Sequence, residues 1–178
     1  MSVLTDTQAA LPTGTWNLDP VHSSIGFEIP YLAGTFRGQF ADVEAKVTEE
    51  GLTGSARVAS IDVKDENFSA HLQSPDFFDA ERHPELTFES RELERSAEAL
   101  TVRGDITIRG VTGPVELTGT ISEPLTDYAD RQRFGLKLEA TVDRTEFGLN
   151  WNAPLPSGEP ALPNDVKLIA ELYFVREA

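Results

Sequence analysis

Along most of the chain, apolar and polar residues alternate with a period of two, the mark of strands with one buried face. Ile25, Phe27 and Ile29 alternate with Gly26 and Glu28. Phe36, Gly38 and Phe40 continue the pattern, then Val43, Ala45 and Val47 against Glu44, Lys46 and Thr48. Leu52, Gly54, Ala56 and Val58 form the next apolar face, and Ile61 and Val63 follow a shift of phase that reads as a bulge. Further faces run through Leu86 and Phe88, Leu100 to Ile108, Val115 to Ile121, Phe134 to Val142, and Val166 to Phe174. Glu49-Glu50-Gly51 and Arg109-Gly110 read as turns, and the polar run 91–98 as a long solvated hairpin connection. No segment carries a helical period of any length. About eight sequential strands with one apolar face must pack on a second sheet or close on themselves. The pattern predicts an all-β fold: an eight-stranded antiparallel up-and-down β-barrel, with a sandwich as the alternative.

One stretch, residues 67–84, breaks the alternation. Ser74-Pro75 has the form of an N-cap followed by proline at the first helical position, so a short helix is expected there. The adjacent Phe77 and Phe78 need an apolar place, and an open barrel end provides one. This stretch is read as a lid. Residues 150–163 hold four prolines and a glycine and read as an ordered, non-repetitive loop carrying Trp151.

Charge then narrows the partners. With 15 Lys+Arg against 30 Asp+Glu, the formal charge is −15, which disfavours nucleic acid and anionic lipid headgroups. There is no cysteine, so no disulfide, thiol chemistry or thiolate-bound metal. Residues 1–12 read as a flexible arm ahead of one domain, 13–178. The first ten residues contain no Lys or Arg and no long apolar run, so a cytoplasmic location is expected. No apolar stretch approaches the ~20 residues of a membrane helix, and no stable membrane insertion is expected.

Gly38, Gly54, Gly104 and Gly119 fall on the apolar face. Glycine weakens a strand interior, so each needs a reason: sharp coiling of the sheet, or space inside it. An eight-stranded barrel either fills itself with side chains or holds one small ligand. The inward face, free of charge in this reading, predicts an apolar guest. Its expected lining is Ile25, Phe27, Ile29, Phe36, Phe40, Val58, Phe88, Val102, Ile106, Leu117, Leu136, Leu138 and Phe174, with Phe77, Phe78 and Trp151 at the ends. Substitution of Gly104 or Gly119 by leucine is expected to fill the space. Catalytic signatures are absent: no Gly-x-Ser-x-Gly, no phosphate-cradling loop, no His-x-x-x-His. His22, His71 and His83 are far apart, and Asp19, His22 and Arg144 are candidates for a polar cluster of structural role. The alternative function is an enzyme acting on a small hydrophobic or lipid-like substrate through His22 or His71. It requires one of these histidines to face the pore beside a carboxylate. A filled core would instead indicate an interaction module. Homodimerisation is left open, with no interface legible.

Four stretches carry a family resemblance. They are Trp16-Asn17-Leu18-Asp19-Pro20-Val21-His22-Ser23-Ser24-Ile25-Gly26-Phe27, His71-Leu72 with Ser74-Pro75-Asp76-Phe77-Phe78-Asp79, Gly104 to Thr112, and Arg144-Thr145-Glu146-Phe147-Gly148-Leu149. In this order they resemble the motifs of the YceI-like family, over about residues 13–176. The resemblance implies a lipocalin-like eight-stranded barrel that binds a polyisoprenoid, an isoprenoid quinone-like lipid or a similar long amphiphile, without catalytic residues or a cofactor. Many members are periplasmic. Gln73 and Gly113 stand where a basic residue is common in the family.

Overall fold

The structure, a computed structural model, describes residues 10–177. Twelve strands, one α-helix and two short 3-10 helices (Val58–Ser60 and Arg144–Phe147) lie wholly within the described residues. The strands are β1 (Trp16–Leu18), β2 (Ser24–Tyr31), β3 (Gly34–Phe40), β4 (Val43–Thr48), β5 (Gly51–Arg57) and β6 (Ile61–Asp62), then β7 (Glu85–Ser96), β8 (Ala99–Ile108), β9 (Val111–Ile121), β10 (Leu125–Thr126), β11 (Gln132–Asp143) and β12 (Asp165–Arg176). Helix α1 (Glu66–Gln73) lies between β6 and β7.

Eight lines of strand close the barrel. β1 and β2 form one line broken at 19–23: Trp16 pairs with Val47 of β4, and Ile25 with Phe40 of β3. β3 and β4 form the second line. β5, β7, β8, β9, β11 and β12 follow as neighbours, every pairing antiparallel. β12 then closes the ring against the first line, with Leu18 opposite Phe174 and Ile25 opposite Ala170. The expected up-and-down barrel is therefore the fold.

Two local expectations change. The run 91–98 is not a loop. β7 extends to Ser96, and Leu93 is fully buried opposite Val102. A register shift between Ser90 and Glu92 displaces the alternation by one, so the single inward leucine sits among Glu92, Glu94 and Arg95 and reads as polar. The helix also lies earlier than Ser74-Pro75 suggests. Asp65 is its N-cap, its carboxylate accepting from the amides of Asn67 and Phe68. Pro75 disfavours a helical Ser74, and the helix ends there, with the Ser74 amide donating to the His71 carbonyl.

The glycines also sort by cause. A Cβ on Gly119 would lie 1.7 Å from the Lys137 carbonyl oxygen, and one on Gly104 2.3 Å from that of Glu89. Both permit close backbone approach in a coiled sheet and create no hollow. The expectation that leucine at these positions would fill a pore is corrected accordingly.

The core divides along the barrel axis. At the base, Trp16 meets Phe134 edge-on at 4.8 Å, and Phe134 stacks on Phe174 at 5.3 Å. Leu93, Leu100, Val102 and Leu136 complete this plug. The arm expected over 1–12 falls, for residues 1–9, outside the described residues; Ala10 and Leu11 are buried in the base. At the top, Phe77 and Phe78 of the lid pack with Phe40, Val58, Ile61 and Phe147. Arg109 fastens this lid, donating to the carbonyls of Phe77 and Gly148.

Candidate functional site: an apolar cavity with one open end

Between base plug and lid lies a cavity of about 320 Å³, at the lower end of the ~300–1,000 Å³ common for small-molecule sites. Its wall follows from alternation. Along β12, Val166, Leu168, Ala170 and Leu172 face it, a run of about 20 Å at ~3.3 Å per residue. Small residues open its middle: Ala45, Gly54, Ala56 and Ala170. Gly54 is the one of the four inward glycines that lines the space, and a Cβ there would make only ordinary contacts, 3.4 Å from the Glu44 carbonyl.

Of the sixteen residues expected at the site, twelve line this cavity: Ile25, Phe27, Ile29, Phe36, Phe40, Phe77, Phe78, Phe88, Ile106, Leu117, Leu138 and Trp151. Four are corrected. Val102, Leu136 and Phe174 point inward but are consumed in the base plug, and Val58 is buried under the lid. Alternation identifies the inward face and not the depth at which the face stops being packed.

The cavity opens at one end. Tyr31 at the tip of the β2–β3 hairpin and Phe68 of α1 both line it and are both exposed, at 42% and 54%. The Phe36 and Phe68 rings are in contact, centroids 5.9 Å apart, and join the hairpin to the helix beside the opening. Trp151, Ala153, Ala161 and Leu162 of the connection after β11 form the opposite rim. Phe68 lies on a short helix and this rim on an irregular segment, where period-two alternation carries no signal.

Two basic side chains reach the wall, which Tyr31, Thr53, Ser55 and Thr87 also line. The His71 ring stands edge-on to Phe77 at 5.1 Å and to Trp151 at 4.8 Å, and its Nε2 lies 2.9 Å from Asp76 Oδ2. With Asp76 ionised, Nε2–H donates and Nδ1 is left as an acceptor. His71 therefore meets the condition set for a reactive histidine, a carboxylate beside it at the pore. His22 does not: it is exposed and paired with Asp19 at 2.7 Å, outside the cavity lining. The second group is Arg144, buried at 6% exposure, so the wall is not wholly free of charge. Nε donates to the Pro163 carbonyl, and one terminal nitrogen to those of Leu149 and Trp151. Among the described residues no carboxylate forms an ion pair with it. Burial pushes its guanidinium down from the usual arginine range, with Asp143 opposing. Arg144 is thus remote from Asp19 and His22. The residue that joins Asp19 is Arg133, which also binds Asp127. No group of three or more His, Cys, Asp or Glu among the described residues is placed to hold a metal, and no helix among them is long and apolar enough to cross a membrane.

The wall is apolar around one long axis, sealed at the base and open at the rim. A site of this kind can take an apolar chain along its axis, and His71 adds a polar edge near the rim.

The comparisons agree with this geometry. The crystal structure of Burkholderia cenocepacia BcnA superposes with a TM-score of 0.75 at 19% identity, covering 88% of this chain and 98% of that one. A polyisoprenoid binding domain from Saccharophagus degradans, implicated in plant cell wall breakdown, gives 0.68 at 12% identity, covering 91% and 98%. At these identities the likeness concerns the fold. A UPF0312 protein of Staphylococcus epidermidis is 31% identical over 171 residues, covering 89% of this chain and 96% of its own. One of Photorhabdus laumondii is 33% identical over 169 residues, covering 88% and 82%. The model of the YceI-like domain matches residues 16–174, and the chain belongs to that family.

Proposed function

We propose that the protein binds a polyisoprenoid, an isoprenoid quinone-like lipid or a similar long-chain amphiphile in the barrel cavity, as a non-enzymatic carrier or store. The observation that carries this reading is an elongated apolar hollow closed by Trp16, Phe134 and Phe174 at one end and open between Tyr31 and Phe68 at the other. Burial of an apolar chain contributes about 25 cal/mol per Å² removed from water, without requiring directional contacts. The binding role of the Saccharophagus degradans domain, which shares the fold, supports the same class of ligand. On this reading the chain end lies toward the sealed base and the headgroup at the rim, beside His71.

Native mass spectrometry and solvent extraction of the purified protein test this, together with uptake of a fluorescent prenol from detergent solution. Bound lipid, or saturable uptake at one site, is expected. A protein that is reproducibly empty and takes up no prenol overturns the reading.

One observation favours a second reading, an enzyme: His71 sits at the cavity wall with Asp76 beside it. In that case a lipid loaded into the protein would be recovered chemically altered, and His71→Gln would leave it intact. Recovery of the same mass from both proteins removes this reading.

A further inference from the structure

The top of the barrel is nearly without charge on one side, in a chain that is 25% charged. The cavity mouth is bordered by residues 29–36 (the hairpin tip), 67–75 (α1 and the turn after it) and 149–163 (the loop after β11). These 32 residues contain one Asp, Glu, Lys or Arg, Glu159, where the chain average gives about eight. Of the charged residues that follow, Asp76 reaches the border through His71, 2.9 Å away, while Asp79, Glu81 and Arg82 lie further along the lid.

The same border exposes large apolar side chains. Tyr31, Leu32 and Phe68 are among the exposed large hydrophobics, Leu32 at 66%. Leu32 also has φ +54°. In a tight hairpin turn that conformation suits Gly, Asn or Asp, and it is strained for a leucine. Exposure and backbone both disfavour leucine here, so folding does not account for it. The hairpin tip extends past the barrel: β2 pairs with β12 only from Ser24 to Glu28, while Ile29 to Tyr31 pair with β3 alone.

The geometry points to a docking face for the surface of a neutral or zwitterionic lipid bilayer, formed by the hairpin tip and α1 around the cavity mouth. The inference rests on the proposed lipid-binding reading for what passes through the mouth. Tyr31 and Trp151 are of the type favoured at a membrane interface, an apolar ring with a polar edge. Leu32 and Phe68 would enter the acyl boundary, as apolar side chains of peripheral proteins do. The chain's charge of −15 selects against anionic headgroups, and the uncharged border is what allows a zwitterionic surface to approach. Docked in this way, the mouth faces the phase in which a long-chain lipid dissolves, and exchange avoids water.

Flotation with phosphatidylcholine vesicles tests the face, with transfer of a fluorescent prenol between vesicle populations as a second readout. The wild-type protein is expected to float at low and high salt, and less when the vesicles are made anionic with phosphatidylserine. Leu32→Asn suits the turn and leaves the cavity wall untouched. It is expected to keep the melting temperature and the prenol loading from detergent, while weakening vesicle association and transfer by about tenfold or more. Tyr128→Ser, fully exposed but outside the border, is expected to change neither. Wild-type protein that loads prenol but does not associate with phosphatidylcholine overturns the face and leaves the ligand reading standing. Flotation without any loading does the reverse. Undiminished flotation of Leu32→Asn, or a dimer that this substitution abolishes in the absence of flotation, also overturns it.

Discussion

Ala170→Phe separates a hollow barrel from a packed one by the sign of a stability change. Ala170 lies on β12 between Ile25 and Leu138, on the cavity wall and above the base plug. It is only partly buried although it points into the barrel, because what it faces is the hollow. In a filled core, a ring at this position would overpack and cost about 1–3 kcal/mol. Into a hollow of about 320 Å³, it can enter without displacing a neighbour. Burying the ring then contributes about 1.5–3 kcal/mol. Ordering the side chain removes ~0.5–1 kcal/mol of that. The net expectation is a gain of about 1–2 kcal/mol in the ligand-free protein, a rise in melting temperature of roughly 2–8 °C. Prenol uptake should fall in the same variant, because the ring takes the volume a chain needs. Calorimetry on delipidated protein and a titration with fluorescent prenol measure the two effects. Gain of stability with loss of binding is the expected pair. A destabilised variant with undiminished uptake would refute the reasoning at both steps.

Other outcomes follow from single contacts. Gly119→Ala should destabilise by more than about 2 kcal/mol in urea, since its Cβ would meet the Lys137 carbonyl at 1.7 Å, whereas Gly54→Ala should stay within about 1 kcal/mol of the parent. Arg144→Met should cost about 3 kcal/mol or more and speed proteolysis within 149–163, because three carbonyls lose their donor. Burial pushes the Asp19 carboxyl up, but hydrogen bonds from His22, Arg133 and the Val21 amide outweigh it and hold it down to about 2. Hydrogen bonds from Arg133 and the Arg131 amide likewise hold Asp127 at about 2. A carboxyl whose folded pKa lies below its unfolded value of 3.8 stabilises the fold above that pH and loses the contribution as pH falls toward 2. The urea midpoint should therefore drop between about pH 4 and 2, and Arg133→Gln should flatten that drop; an equal slope in both proteins would count against the linkage.

The barrel was legible because its strands are long, sequential and amphipathic, so each inward position announces itself by parity. Leu93 shows where parity fails: a one-residue register shift hides a core strand inside a run of charges. The helix was misplaced because Ser-Pro serves at either helix end; here Ser74 closes the helix with its amide on His71, and Asp65 opens it. Phe77, Phe78 and Trp151 were found because aromatics on irregular segments need an apolar destination. Val58, Val102, Leu136 and Phe174 were assigned to the cavity because side-chain parity cannot distinguish a packed layer from an open one. That distinction depends on size at facing positions. Large rings meet at the base, and alanine or glycine meets alanine or an aliphatic in the middle: Ala45 opposite Gly54, Ala170 opposite Leu138. Tyr31 continues the parity of Ile25, Phe27 and Ile29 at the end of β2 and was legible in that pattern, whereas Phe68 lies on a short helix where period-two alternation carries no signal.

Arg144 explains how an irregular rim can be rigid. The connection 149–163 contains Pro154, Pro156, Pro160 and Pro163, four residues with no amide to donate; a short ladder, with Leu155 donating to Glu159 and Ala161 to Ala153, satisfies its middle and leaves its ends to other donors. A guanidinium supplies several donors in a fixed plane. Arg144 directs them at Leu149, Trp151 and Pro163, residues at both ends of the connection. Asn152 adds a second tie, accepting from the Leu162 amide and donating to its carbonyl. The charge buried at the cavity wall therefore belongs to the wall's construction: it holds Trp151 against His71 and keeps the mouth in one shape. Arg144 thus commits Nε and one terminal nitrogen to backbone carbonyls, and its first role at the cavity wall is to tie the two ends of the connection together.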